Sequence, residues 1–485
     1  MSPPDQAPLI ELSDDEIARI VSGLVLAMFL AAIDQTLISV ALLSIGRDVG
    51  DIDLMPWVMS GYLVASTIAS PIYGKLSDLF GRWPMLATAL GTYLVASLLC
   101  ALSTSMTQLI VFRVMQGMGS GALIALVQTV IADIAPGPKR GRYQGYFSGV
   151  YASASMLGPF VGGYITEYLS WRGVFIVNLP MGLLAFLLAR RVMRRLPRGG
   201  RKRPIDYPGA LLLAAGLAAL MIALTRLGQG VSWHAGSTLA LVGAAAVLLL
   251  LCAWREQRAP EPLLPPDLFS NRVTVACFAV LSLSFFALIG QSVILPMWLQ
   301  SVPGNGLDRV ALLMLPFTLS TPLSAFFAGR HISRGGSMRR HMIAGTGLTG
   351  VGAALLALAS PASALLFEVG MCVSGAGIGM VMPSALITLQ STVARERLGI
   401  ATASAGLFRS LGGAVGVALL SSVLFASLGA GPDAHSSGAA ALRDALLDDA
   451  HAGELDRAFR ITFWVVAIDS LIAWLVALTT PAERR

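Results

Sequence analysis

Charged residues are scarce in this sequence of 485 residues. Asp, Glu, Lys and Arg make up 13% of it, whereas 55% of the residues are hydrophobic. A soluble domain carries roughly 25% charged residues, so the charge present here cannot coat several soluble domains. The apolar residues form long blocks, and blocks of about 18 residues or more are long enough to cross a bilayer as helices. These features exclude a soluble enzyme and predict an all-α polytopic membrane protein.

Cysteine and histidine are also rare, with four and five copies. The cysteines lie singly inside apolar blocks, at Cys100, Cys252, Cys277 and Cys372. Without paired spacing or a histidine cluster, a disulfide framework and a zinc site are both excluded. We expect free buried thiols and neither a metal nor any other cofactor.

Fourteen apolar segments are long enough to span a membrane. They fall at about 20–43, 54–74, 84–104, 108–132, 143–165, 172–192, 207–227, 235–254, 272–299, 308–328, 341–360, 362–388, 399–427 and 459–479. An even number of spans predicts that both termini lie on the same side of the membrane. The polar, acidic first twenty residues lack the basic region of a signal peptide, so we expect a retained cytoplasmic tail.

The basic residues of the loops predict the orientation. Of the 34 Lys and Arg residues, 25 fall in alternate loops and the two tails, and the rule that positive loops stay inside makes that side cytoplasmic. The net charge of +7 is then a topology signal, with anionic membrane lipids rather than nucleic acid as the neighbour. Both termini are therefore predicted to be cytoplasmic.

An internal repeat relates the two halves of the chain. The segment GKLSDLFG at 74–81 follows span 2, and GRHISRGG at 329–336 follows span 10, 255 positions later. Closely spaced glycines at 117–121 recur at 375–379. Two six-span halves with a binding site at their interface are the architecture of many secondary transporters. The repeat leaves spans 7 and 8 as two additional helices between the halves.

The predicted organisation follows from the spans and the repeat. It comprises a cytoplasmic tail at 1–19, an N-terminal six-helix bundle at 20–192, a basic linker at 193–206, two extra transmembrane helices at 207–254, a linker at 255–271, a C-terminal six-helix bundle at 272–479 with an outer loop at about 428–458, and a tail at 480–485.

Five segments carry a family resemblance. They read DQTLISVAL at 34–42, GKLSDLFGR at 74–82, RVMQGMG at 113–119, ASMLGPFVGG at 154–163 and WRGVFIVNLP at 171–180. In order and spacing they resemble the motifs of the fourteen-span drug:proton antiporter branch of the major facilitator superfamily, across essentially the whole chain. The resemblance implies the major facilitator fold and a location in a bacterial cytoplasmic membrane. It also implies transport that is driven by the proton gradient. The span-5 segment resembles the antiporter motif of exporters through Gly158, Pro159, Gly162 and Gly163.

Five ionisable residues lie inside predicted spans, where charge is costly and usually functional. Asp34 and Arg113 both fall about 8–12 Å below the outer face, at 1.5 Å per residue. Their charges can meet if spans 1 and 4 are neighbours. Asp34 is then either the site where proton and substrate compete or one half of a permanent structural pair with Arg113.

The other intramembrane charges are Glu368, Arg409 and Asp469. Glu368 lies 255 positions after Arg113, which is the offset of the internal repeat. We therefore predict that Glu368 binds a cationic substrate or serves as a second proton-coupling site. The alternative is a residue near the membrane surface that outer water solvates. Arg409 and Asp469 both fall near mid-depth of their spans. We predict that they form a buried ion pair, with functional coupling through Asp469 as the alternative.

A gating group is predicted where span 2 reaches the cytoplasm. A carboxylate there can accept from the positive N-terminus of another helix, plausibly that of span 13. The residues of this group are Gly74, Asp78, Gly81, Arg82 and Asp133. The alternative is a plain topology signal.

Polar and aromatic residues of the spans are candidates to line a binding site. These are Gln35, Tyr62, Gln128, Tyr151, Phe286, Gln291, Trp298 and Phe317, each of which can equally serve in packing. Aromatic rings with one or two acids suit lipophilic cations. The glycines of spans 4, 5, 12 and 13 are expected to allow close helix packing.

The predicted function is proton-coupled antiport that exports lipophilic, often cationic drugs by alternating access, with the monomer as the working unit. One alternative is an exporter of a specific endogenous metabolite or lipid. The other is a non-transporting membrane scaffold or sensor, which five intramembrane charges disfavour.

Overall fold

The computed structural model describes most of the chain. The described residues are 14–51, 54–134, 143, 149–150, 153–154, 157–158, 161–193, 206–228, 230–231, 233–259, 262–302, 307–359, 363–394, 397–428 and 452–481. The elements in these residues are α-helices, and no strand occurs among them. In a helix the backbone N–H and C=O groups bond to one another, which is needed in a bilayer because hydrocarbon offers no hydrogen-bond partners. The predicted all-α fold class is confirmed.

Six helices in the first part of the chain lie wholly within the described residues. They are α1 (Asp14–Val49), α2 (Met55–Phe80), α3 (Arg82–Ala101), α4 (Met106–Ile134), α5 (Trp171–Ile176) and α6 (Asn178–Met193). A single residue, Gly81, separates α2 from α3. Its φ of 95° lies in the region that glycine adopts readily, and its N–H donates to the carbonyl of Ser77.

Ten further helices follow. They are α7 (Tyr207–Gly228), α8 (Gly236–Glu256), α9 (Asp267–Ser270), α10 (Arg272–Ser301), α11 (Leu307–Leu313), α12 (Leu315–Ser333), α13 (Met338–Leu358), α14 (Ala364–Thr392), α15 (Leu398–Ser427) and α16 (Ala452–Leu478).

Eleven helices among the described residues are long and apolar enough to cross a membrane. They coincide with all predicted spans except 2, 5 and 10. The helices α2 and α12 lie where spans 2 and 10 are predicted, while about half of the stretch predicted as span 5 lies outside the described residues. A total of fourteen spans therefore stays a prediction.

The chain forms two compact units. Unit 1 comprises the described residues within Met1–Ala218, Leu251–Leu268 and Gln390–Leu407, and unit 2 comprises those within Ala219–Leu250, Phe269–Leu389 and Phe408–Arg485. The division runs through α7, α8, α9, α14 and α15, whereas the sequence predicts boundaries in the linkers. The predicted bundles and linkers stay a prediction.

Close helix packing characterises unit 1, in which α4 packs against both α2 and α3, and α1 packs against α6. Glycine makes the α2–α4 approach possible. A Cβ atom at Gly117 would lie 2.3 Å from the carbonyl oxygen of Tyr62, and one at Gly121 would lie 2.0 Å from that of Ser66. Small residues let helix backbones approach in this way, as the sequence predicts for the span-4 glycines.

In unit 2, α16 packs against α10 and α13. Their buried faces share an aromatic core in which Trp298 stacks on Phe367, with ring centroids 3.8 Å apart and planes 13° apart. Phe459 and Phe463 of α16 belong to the same buried cluster.

Candidate functional site

A buried ion pair lies between α1 and α4. Oδ2 of Asp34 is 2.6 Å from Nη1 of Arg113, and neither side chain has any exposed surface. The structure thus brings together the two residues that sequence depth placed at the same level. In a low-dielectric interior, this pairing is strong only with additional hydrogen bonds to both partners.

Two side-chain amides supply those bonds to the carboxylate. Oδ1 of Asp34 accepts from Nε2 of Gln116 at 3.0 Å and from Nδ2 of Asn178 at 2.9 Å. The Gln116 amide is itself held, because its Oε1 accepts from Nη1 of Arg113 at 2.6 Å and its Nε2 donates to Oγ of Ser97 at 2.8 Å. Four helices, α1, α3, α4 and α6, therefore contribute to one polar cluster.

Arg113 has a second set of contacts. Its Nε donates to the carbonyl of Val58 at 3.3 Å, and its guanidinium carbon lies 4.1 Å from the ring centroid of Tyr62. A cation over an aromatic face is attracted by the ring quadrupole. Nη2 of Arg113 has no hydrogen-bond partner among the described residues, so the cluster retains one buried donor.

Sequence reasoning missed Gln116, Asn178 and Ser97. Gln116 lies in the span-4 motif and Asn178 in the span-6 motif, but these motifs indicated the family and not the role of either residue. An uncharged amide inside a span is the signal that was available, because a buried amide needs partners. Tyr62, predicted to line a binding site, is 1% exposed and donates to Oγ of Ser120 at 2.5 Å. It belongs to the ion-pair cluster in this structure.

The span-5 motif packs beside this cluster. A Cβ atom at Gly158 would lie 1.8 Å from Oγ1 of Thr36, and one at Gly162 would lie 3.1 Å from Cα of Leu37. Gly163 is less constrained, with 3.9 Å to Cγ1 of Val40. The motif's glycines thus face the helix that carries Asp34. Two other predicted site residues, Pro159 and Tyr151, lie outside the described residues.

The predicted gating carboxylate, Asp78, caps the first turn of α15. Its Oδ1 accepts from the backbone N–H of Gly399 at 3.2 Å and its Oδ2 from that of Ile400 at 3.0 Å, both within unit 1. The N-terminus of a helix carries partial positive charge, which favours an anion there. The structure contains the contact with span 13 that the sequence predicts; its part in gating stays a prediction.

Arg82 joins Asp78 to a second acid. It donates to Oδ1 of Asp78 and, through Nε, to Oδ2 of Asp133 at 2.7 Å. Burial raises the pKa of the Asp78 carboxyl, while the Arg82 guanidinium and the N–H of Ile400 act to lower it. Gly74 lets α15 approach, because a Cβ atom there would lie 2.3 Å from Cβ of Ala403.

The predicted ligand-facing residues of unit 2 are mostly packed. Trp298, Phe286 and Phe317 are buried in one cluster with Phe367. Their burial favours a role in packing over contact with a ligand. Oε1 of Gln291 accepts from Oγ of Ser374 at 3.0 Å. Nε2 of the fully buried Gln291 has no partner among the described residues.

Three more predicted positions differ in exposure. Glu368 lies half-buried on α14, next to Phe367, and Gln35 is half-buried on α1. Gln128 is buried on α4.

The expected ion pair between Arg409 and Asp469 is not present among the described residues. The guanidinium carbon of Arg409 lies 5.1 Å from the ring centroid of Phe285 on α10. Asp469 is 7% exposed, and its Oδ2 has no hydrogen-bond partner. Equal depth put both residues at the same level but does not decide which way each side chain points around its helix.

Solved structures with a similar arrangement of helices show the fold. The proton:xylose symporter XylE, in complex with 6-bromo-6-deoxy-D-glucose, superposes with a TM-score of 0.65 at 15% identity and covers 97% of each chain. The human organic anion transporter MFSD10 gives a TM-score of 0.63 at 16% identity, covering 94% of this chain and 100% of that one. At such identity the likeness shows the fold alone, which is that of membrane transporters.

A family model described as Major Facilitator Superfamily matches residues 24–417, and the chain belongs to this superfamily. Multidrug transporter protein MdtP of Bacillus subtilis is 33% identical over 417 residues, 84% of this chain and 76% of that protein. Multidrug resistance protein 3 of the same organism is 32% identical over 409 residues, 83% and 79% of the two chains. The protein is therefore an integral membrane transporter of small-molecule substrates and not an enzyme.

Proposed function

We propose that this protein exports lipophilic, often cationic compounds across the bacterial cytoplasmic membrane in exchange for protons. The observation that carries the proposal is the carboxylate of Asp34, which is fully buried and has Arg113 as its ion-pair partner. The names of the two Bacillus relatives support the substrate class.

The chemistry of exchange follows from the charge balance of this pair. An ionised Asp34 neutralises Arg113, whereas a protonated Asp34 leaves that cation buried without its counter-charge. An unpaired buried charge is strongly destabilising. Protonation therefore requires the surroundings of Arg113 to change, which links proton uptake to a second conformation. A ligand's positive charge that reaches Asp34 competes with the proton for the same oxygens.

Hydrogen bonds set the resting state of the pair. Gln116 and Asn178 both donate to Oδ1 of Asp34. A movement of α6, which carries Asn178, or of α4, which carries Gln116, therefore changes the hydrogen bonds of the Asp34 carboxylate.

Glu368 supplies the second attraction for a cationic substrate. It is half-buried on α14, and its carboxylate can attract a positive charge. Asp78, Arg82 and Asp133 stabilise the conformation in which α15 is capped, and they must separate for the transporter to change state.

Proteoliposomes that contain the protein and an internal pH indicator test this function. We expect cationic lipophilic compounds to cause a substrate-dependent pH change, whereas anionic compounds of similar size do not. A pH change with one compound class other than cations would support export of a specific metabolite instead. Substrate flux without any pH change would contradict proton coupling.

A further inference from the structure

Asp469 is a buried acid that the exchange at Asp34 does not use. It lies on α16, nine residues before the end of the helix at Leu478, which corresponds to about 14 Å along the axis. Its neighbours at 468, 471 and 472 are exposed, whereas Val466, Ser470 and Ala473 are buried with it. Asp469 therefore faces protein on the side of α16 that packs against α10 and α13.

No cation neutralises this carboxyl among the described residues. Arg339, in the first turn of α13, donates to the carbonyls of Leu478 and Thr480 at the far end of α16. Arg340 and His341 lie in that same turn. The titratable groups of α10 are Arg272, its first residue, and Cys277. On α16 itself, Arg460 pairs with Asp456 at 2.9 Å, more than two turns away.

Polar neighbours do not supply the missing bond either. The hydroxyls of Thr346 and Thr349 on α13 donate to carbonyls of their own helix, at 2.8 and 2.9 Å. Within the described part of the chain, Oγ of Ser470 has no hydrogen-bond partner, like Oδ2 of Asp469 itself. An ionised carboxylate held in such surroundings, without cation or donor, costs far more than a neutral one.

We propose that Asp469 holds an exchangeable proton and is a second proton site of the transporter, within unit 2. The carboxyl is neutral while α10, α13 and α16 are packed around it, and its O–H can donate to a backbone carbonyl of α16. When water reaches the carboxyl, ionisation is no longer penalised and the proton is released. This inference rests on the proposed proton-coupled function and adds to it a second titrating acid, remote from Arg113.

Infrared spectroscopy of the reconstituted protein tests the proton directly. At neutral pH we expect a carboxylic-acid C=O band that shifts in D2O, persists in Asp34→Asn and is lost in Asp469→Asn. The matched control is Asp456→Asn on the same helix, which removes an acid that is paired with Arg460 and should leave the band intact. An unchanged band in Asp469→Asn, or a band that never exchanges in D2O, would overturn the proposal.

Proton release during transport supplies the second measurement. We expect Asp469→Asn to lower the number of protons released per substrate, whereas Asp456→Asn leaves that number unchanged. An unaltered ratio in Asp469→Asn would refute the role in transport. The infrared band is read without substrate, so its outcome is independent of whether the wild-type protein couples transport to protons. If Asp469→Asn fails to fold, Asp469→Glu is expected to retain the band.

Discussion

Asp34 and Arg113 form an ion pair with no exposed surface, in which Oδ2 of the acid lies 2.6 Å from Nη1 of the base. Their 79 positions of sequence separation are bridged by the packing of α1 and α4. Since both charges are fully desolvated, each is acceptable only in the presence of the other. Stability and the proposed proton coupling therefore depend on the same two residues.

The first prediction concerns the interdependence of the two charges. Asp34→Asn and Arg113→Gln should each destabilise the protein by about 3–5 kcal/mol, because each leaves one buried charge alone. The double variant leaves none and should recover most of that loss. Thermal unfolding of the purified proteins measures the effect as Tm. Additive losses in the double variant would contradict a mutual pairing.

The second prediction concerns Asn178, which donates to Oδ1 of Asp34. Asn178→Leu should cost about 1.5–3 kcal/mol, the usual contribution of a hydrogen bond to a charged group. In an Asp34→Asn background the charged acceptor is absent, so the same change should cost less. A double-mutant cycle on Tm measures this coupling. Equal losses in both backgrounds would mean that Asn178 stabilises the fold by other contacts.

The third prediction concerns the cap on α15. A Cβ atom at Gly399 would lie 2.3 Å from Oδ1 of Asp78 and 2.7 Å from Nη1 of Arg82. Gly399→Ala and Asp78→Ala should therefore both break the cap and lower the efflux rate by at least about tenfold, the equivalent of a charged hydrogen bond. Gly243→Ala on α8 is the control, since nothing lies within 4 Å of its Cβ position.

Acidic pH should act on the same cap. Burial raises the pKa of Asp78, so the carboxyl is neutralised at a higher pH than an exposed Asp as the pH falls. A neutral Asp78 loses its attraction for Arg82 and for the α15 N-terminus. Wild-type efflux at low pH should approach that of Asp78→Asn, and Asp78→Asn should lack this part of the pH dependence. An identical pH profile in both proteins would contradict the account.

The fourth prediction concerns Asp48, at the end of α1 beyond the predicted span. Hydrogen bonds from Trp171 and Arg172 lower its pKa. The ionised Asp48 stabilises the fold above the pKa that this residue has in the unfolded chain, about 4. This stabilisation is lost as the pH falls through the lower pKa of Asp48 in the folded protein. Asp48→Asn should remove this acid-range slope of Tm with only a small change at neutral pH, since the pair is exposed.

Sequence reasoning reached the fold class and the central pair for definite physical reasons. Long apolar blocks have few structures open to them in a bilayer, and depth along a helix follows from counting residues. The residue count placed Asp34 and Arg113 at the same depth in the membrane. It could not identify Gln116 and Asn178 as the donors to Asp34, because that depends on the rotation of α4 and α6 around their axes.

The same limit explains the wrong pairing of Arg409 with Asp469. Both are near mid-depth, yet Arg409 lies over Phe285 and Asp469 is buried without a partner in the described part of the chain. Trp298 shows the limit for an aromatic residue. Its aromatic ring could contact a ligand, but it stacks on Phe367. Only the way α10 and α14 pack decides between ligand contact and a place in the core.

The most direct test of proton coupling through Asp34 is substrate-induced proton release from detergent-solubilised protein, measured in weak buffer with a pH indicator. The wild-type protein should release protons when a lipophilic cation is added, because the cation displaces the proton from those molecules in which Asp34 is protonated and separated from Arg113. Asp34→Asn should bind the cation with no release from this site, while the control Asp456→Asn behaves as wild type. Proton release in Asp34→Asn equal to that of the wild type would contradict the assignment of Asp34 as the coupling site.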